Sequence, residues 1–196
     1  MTGLALVLLL PLWQSTSSLP TLSDDDVEVV NAVIAATILP QHRRLTATAL
    51  RDILMIDRTA PICVPKRPPA RPPGCVSGIV FTRLSKPPRN SRRLFEQHIK
   101  TEVAAELAAA FARANAQSAA VQSDRIVGVR FVAPADWNPN VPNATVSRPA
   151  YAGENHAIIY ASYSCSGGGC GHGWFVLLER NAGTWRVRES AMIWIS

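Results

Sequence analysis

"HAIIYASYSCSGGGCGHGWFVLLERNAGTWRVRESAMIWIS", residues 156–196, decides how this chain is read. Its three β-rich runs, "HAIIYASYS", "GWFVLLER" and "TWRVRESAMIWIS", are separated by turn residues, which is the pattern of strands. Asn181-Ala182-Gly183 forms a tight hairpin loop whose glycine can take left-handed backbone. The three runs therefore make an antiparallel meander. Trp174, Val176 and Leu178 share one face of the middle run, and Phe175 and Leu177 share the other. A strand apolar on both faces is central and covered on both, here by two helices.

The first helix starts at Ser23, whose oxygen can cap free backbone N–H groups, while Asp24, Asp25, Asp26 and Glu28 oppose the positive helix end. Val27, Val30, Ile34 and Ile38 fall on one face, and Pro40 is expected to close the segment. The second is expected from Ser91 to about Ala114, where Phe95, Ile99, Val103, Leu107, Ala110, Phe111 and Ala114 recur in steps of three or four. Glu96 and Lys100 have a supportive helical spacing, Glu102 and Glu106 a repulsive one. The latter two read as an exposed acidic face and not a catalytic pair, because no neighbour in sequence would perturb either.

Elsewhere, "TATALRDILMIDRTAPICV" is ambiguous between helix and strand, with a strand favoured at Ile53 to Asp57. "PICVPKRPPARPPGC" is a loop, since its prolines cannot donate ladder hydrogen bonds. "VSGIVFTRL" and "RIVGVRFV" have strand composition, and "APADWNPNVPNATVSRPAYAGEN" is a long connection rich in turn residues. Within it, Asp136 and Trp137 are candidates for testing, and Asn143-Ala-Thr145 matches the glycosylation acceptor pattern. The expected architecture is α+β: two main helices on a mostly antiparallel sheet with a C-terminal three-stranded meander. It is a single domain over 19–196, with a Pro/Arg-rich loop at 61–75.

Residues 1–18 have the layout of a signal peptide: an apolar run from Leu4 to Trp13, then Ser15 to Ser18, with cleavage near Ser18. The run is short of the ~20 residues a spanning helix needs, and Pro11 interrupts it. A secreted or periplasmic protein is expected. In that compartment four cysteines suit two disulfides, and the simplest pairing joins Cys63 to Cys75 and Cys165 to Cys170, although three connectivities exist. Zinc on Cys165, Cys170, His172 and His156 competes, but the spacing is loose and exported thiolates oxidise. Thiol catalysis would need His172 to fold back onto Cys170. No metal and no cofactor are expected.

The formal charge is +6, and Arg58 to Arg93 holds nine Lys or Arg residues with no Asp or Glu. That local field attracts anionic polymers or a membrane surface, with Arg67, Arg71, Arg89 and Arg92 as candidate contacts; the alternative is a solvated basic loop. No specific nucleic-acid motif is present. The expected function is binding or structural and not catalytic. The enzymatic alternative, an exported hydrolase, would use Asp136, His156 and His172 near the C-terminal sheet.

"VSRPAY", "AIIYASYSC", "CGHGWFVLLERNAGTWRV" and the final "WIS" together resemble the ending of a group of exported bacterial proteins of unknown function. "AAAFARANAQ" is similar to the phenylalanine and asparagine helix that precedes that ending, so the likeness spans Ser91 to Ser196. It implies secretion and an α+β build, and brings no activity. His172 stands where a small residue is usual in that group, which weighs against zinc.

Overall fold

Strand β8 (Gly171–Asn181) is buried along its first eight residues, and both of its faces are covered. It lies between β7 (His156–Ser164) and β9 (Thr184–Ile195), antiparallel to each. The meander read from the sequence is present. Its second turn is two residues long, with Asn181 paired to Thr184 and both Ala182 (φ 49°) and Gly183 (φ 81°) left-handed. That double positive φ matches the twist of the flanking strands.

The computed structural model describes residues 19–45, 53–63, 76–77, 83–87, 89, 92–138, 140–165 and 170–195, with the backbone alone at 44, 45, 63 and 77. The signal-peptide reading of 1–18 lies outside these residues, as does most of the Pro/Arg-rich loop. Among them, no helix is long and apolar enough to cross a membrane.

Among the described residues, the main sheet has seven strands in the order β4 (Arg130–Val132), β1 (Leu54–Ile56), β5 (Asn143–Val146), β7, β8, β9, with β6 (Ala150–Ala152) also on β7. It is mixed, where a mostly antiparallel sheet was expected, because β1 runs parallel to both β4 and β5. A second, two-stranded sheet pairs β2 (Ile62–Cys63) with β3 (Val76–Ser77) in parallel. Such long-range parallel pairings leave no turn signature in the sequence.

Two expected strands depart from their composition within the described residues. Gly128 (φ 90°) precedes β4, which begins only at Arg130. After β3, residues 83–85 form a helical turn. Conversely, the expected connection over 133–155 contains β5 and β6, which pair with opposite ends of β7 on the same side. The break between them is Ser147, whose Oγ accepts from Tyr160 N–H (2.9 Å) while its N–H donates to Tyr160 O (2.9 Å). Asn115 bridges the next residue: its Oδ1 accepts from Arg148 N–H (2.7 Å) and its Nδ2 donates to Arg148 O (3.0 Å). Two side chains thus supply ladder bonds that an unbroken strand would make with backbone.

Helix α1 (Asp24–Val33) has the expected Ser23 cap, closed reciprocally by Asp26. Pro40 does not end it. A π-helical turn (Ile34–Ile38) follows, with Leu39 N–H bonded to Ile34 O, and α2 (Leu39–Leu45) continues. The wider turn relieves the clash of a proline ring with the carbonyl four residues back. The second main helix, α3 (Thr101–Ala114), starts ten residues later than expected. Residues 94–98 are turns, with Phe95 left-handed (φ 61°), so Phe95 and Ile99 reach the core without being helical.

Two apolar layers result. Val27, Val30, Ile34 and Ile38 pack with Ile159, Trp174, Val176 and Leu178 on one face of the sheet. Leu107 and Phe111 pack with Ile158, Phe175 and Leu177 on the other. The alternation of β8 read from sequence is thus the division between the layers.

Candidate functional site

Cys165 and Cys170 are joined by a disulfide with Cα atoms 5.5 Å apart, and Cys165 N–H donates to Cys170 O (3.0 Å). The bond ties the end of β7 to the start of β8, so neither sulfur is a free thiolate. Cross-strand neighbours Tyr163 and His172 lie just inside it. Both face α2. His42 Nδ1 is 2.9 Å from the Tyr163 hydroxyl, and Gln41 Nε2 is 3.1 Å from His172 Nδ1. The His172 ring stacks on Trp174 with centroids 5.6 Å apart. His42 and Tyr163 are fully buried and His172 nearly so, and burial pushes the Tyr163 phenol above its ordinary value. A neutral phenol next to a buried imidazole satisfies both groups, but offers a substrate no access to either.

A second polar cluster surrounds the start of α1. The buried Asp26 carboxylate accepts from Tyr151 OH (2.7 Å) and Ser23 N–H (3.1 Å), with Arg148 Nε 3.5 Å away. Burial first, and Asp26 second, hold the Tyr151 phenol far above its usual value. Arg180 makes a two-pronged bond to Asp25 (3.1 and 3.2 Å) and lies 5.5 Å from the centroid of Trp185, whose backbone N–H donates to Glu28 (2.9 Å). Asp25, Tyr151, Glu154, Asn155, Arg180 and Trp185 line an open cleft of about 490 Å³ here. Its main charges are already paired across the wall, so it presents an ion-paired surface and not a nucleophile with its base.

The three polar groups considered for hydrolysis are not brought together. His156 pairs with Glu179 at one end of the β7–β8 ladder and His172 with Tyr163 near the other, about 23 Å along the strand. Asp136 is exposed in a 3₁₀ turn after β4, the far edge strand of the sheet. Asn143, the glycosylation acceptor candidate, sits in β5 between β1 and β7, with its amide donating to Val141 O (3.1 Å). Glu102 and Glu106 are exposed, and Glu106 accepts from Gly153 N–H (3.3 Å). Of the proposed anion contacts, Arg89 and Arg92 are exposed, and Arg92 is 3.6 Å from Glu96. Arg67, Arg71, Cys75 and the side chain of Cys63 lie outside the described residues.

His42 was not singled out in the sequence, nor was Asp26 beyond its charge at the helix start, whereas Asn115 and Ser147 lie in the two segments quoted for the resemblance. Asp26 could have been, as the third residue after a capping serine. His42 could not, because its partner is 121 residues away. Gly173 owes its identity to Trp194 and not to the turn: a Cβ there would overlap Trp194 Nε1, Cε2 and Cδ1. Trp194 lies across that glycine and donates from Nε1 to the Tyr160 hydroxyl (2.9 Å). No family model, curated protein or solved structure matches this chain.

Proposed function

We propose that the chain is an exported, non-catalytic binding or structural domain that meets anionic surfaces through the basic region Arg58–Arg93. The observation that carries the reading is the exposure of Lys86, Arg89 and Arg92 within a stretch of nine Lys or Arg residues and no Asp or Glu. Cations presented this way concentrate an anionic polymer or headgroup surface without a shaped pocket. Export is supported by the apolar leader together with the Cys165–Cys170 bond, a linkage suited to oxidising compartments.

A structural role for the C-terminal motif is supported by what its residues touch. Asn115 and Ser147 complete the backbone ladder, Gly173 seats Trp194, and the cysteines close the hairpin. This supports kinship with the exported proteins that the ending resembles, as a shared scaffold and not a shared chemistry. The test is co-sedimentation with phosphatidylglycerol vesicles and with phosphatidylcholine vesicles at low and high salt. Binding is expected on the anionic vesicles alone, weakened by salt and by Arg89→Gln with Arg92→Gln. Binding indifferent to both salt and the double substitution would sink the proposal.

A further inference from the structure

The helical rod that begins at Asp24 is fastened to the sheet near its start and near its finish, with one exposed contact between, Thr37 Oγ1 to Ser190 Oγ at 3.4 Å. Near its start, Asp26 accepts from Tyr151 and Glu28 from Trp185, at the end of the meander where His156 pairs with Glu179. Near its finish, Gln41 bonds His172 and His42 bonds Tyr163, at the opposite end. Only the Ser164–Gly171 rung separates the Tyr163–His172 pair from the Cys165–Cys170 bond. Between the two attachments lies the π turn Ile34–Ile38, followed by Pro40, where the regular helical ladder is interrupted.

We propose that the Cys165–Cys170 disulfide is a redox-sensitive latch for α2. Closed, it docks α2 on the sheet; reduced, it lets α2 leave the sheet about the Ile34–Ile38 turn while α1 and the meander stay in place. The bond fixes the separation of the two strand ends, and so the spacing of Tyr163 and His172. That spacing is read by two consecutive residues of a seven-residue helix. As the part of the rod beyond the interrupted turn, α2 is held to the sheet by this docking, and a helical segment without docking opens at low cost. Without the cross-link, the last rungs open as strand ends do, and the two attachment points lose their fixed distance. The remaining rungs, from His156–Glu179 to Ser162–Gly173, are those nearer the α1 attachments.

A small dithiol supplies the reducing step. The Sγ–Sγ bond breaks, and Cys165 and Cys170 each become a thiol. The two electrons and two protons come from the dithiol, which closes to its own cyclic disulfide.

The test is amide hydrogen exchange of the full chain in three forms: oxidised, treated with dithiothreitol, and carrying Cys165→Ser with Cys170→Ser. The double variant isolates this bond from any other cysteine pair. Exchange at 41–45 is expected to rise about tenfold or more in the last two forms, with 24–33 and 174–178 within about twofold of the oxidised protein. Tyr163→Phe, which removes the hydroxyl bonded to His42 and leaves the sulfurs alone, should loosen 41–45 in the oxidised state. The latch is overturned if 41–45 keeps its protection in the double variant. It is equally overturned if 41–45 and 174–178 lose protection together, since the bond would then be a staple for the whole fold.

Discussion

On the α3 face of the sheet, Leu107, Phe111, Ile158, Phe175 and Leu177 meet as an apolar and aromatic layer, with its hydrogen-bonded groups, Asn115 and the Tyr160–Trp194 pair, at the margins. On the α1 face, a comparable layer is crossed by directional bonds: Asp26 to Tyr151, Glu28 to Trp185, His42 to Tyr163. Apolar packing dominates how α3 lies, with polar contacts only at exposed Glu106 and at the Asn115 cap, while α1 and α2 are placed by buried polar contacts as well. The first face should therefore answer to changes of volume and the second to changes of charge.

The largest effect is expected from Phe111→Ala, which removes a buried ring set edge-on to Phe175 at 5.2 Å. A loss of about 3–5 kcal/mol in urea unfolding is expected. A cost no greater than that of Tyr151→Phe would break the contrast between the faces.

Next comes Gly173→Ala, whose new methyl must displace Trp194 from its seat over the strand. Overpacking of this kind costs about 1–3 kcal/mol. In a cycle with Trp194→Ala the two costs should be far from additive, and additivity would show that the indole is not what the glycine accommodates.

Alkali probes Tyr151 and Tyr163 on the α1 face together with Tyr160 on the other, and the Tyr151 substitution separates them. Burial raises the Tyr151, Tyr160 and Tyr163 phenols in the folded chain, with Asp26 adding to the rise at Tyr151 and hydrogen bonds from Trp194 and Ser162 opposing it at Tyr160. A group whose folded value is raised binds its proton more tightly in the folded state. Its contribution is whole below the unfolded tyrosine value of about 10 and is lost as pH rises beyond it. The urea midpoint should accordingly hold between pH 7 and 9 and fall above about 10. Tyr151→Phe should flatten that decline; an unchanged slope would remove Tyr151 from the account.

The smallest effect is expected at Arg125–Asp24, a 2.8 Å pair whose carboxylate is almost wholly in solvent. Asp24→Asn should leave the midpoint within error, because exposed pairs contribute little. A clear shift would mean that surface charge holds α1 as well as its buried carboxylate does.

The meander was legible because β8 carries apolar residues on both faces and its turns carry their own residues. The start of α1 was legible from Ser23. Pro40 misled, since the cost of proline inside a helix was met by a local change of helical pitch that leaves no mark in the composition. Phe95 and Ile99 misled differently: they keep helical spacing and are buried, but in turns. β5 and β6 were read as loop because they are three or four residues long among prolines and asparagines. The pairing of β1 between β4 and β5 is set by contacts more than 70 residues apart, beyond any periodicity. At the polar sites, His172 was visible as an oddity beside the cysteines, whereas its surroundings come from α2 on a distant part of the chain.

Trp185 and Val187 of β9 share a layer with Val27 and Val30 of α1, so a helix made early in synthesis waits for a strand made late. Its apolar stripe has no permanent cover while the intervening residues are being made. The α1 side of the core is thus completed only when the far end of the chain is available to cover it.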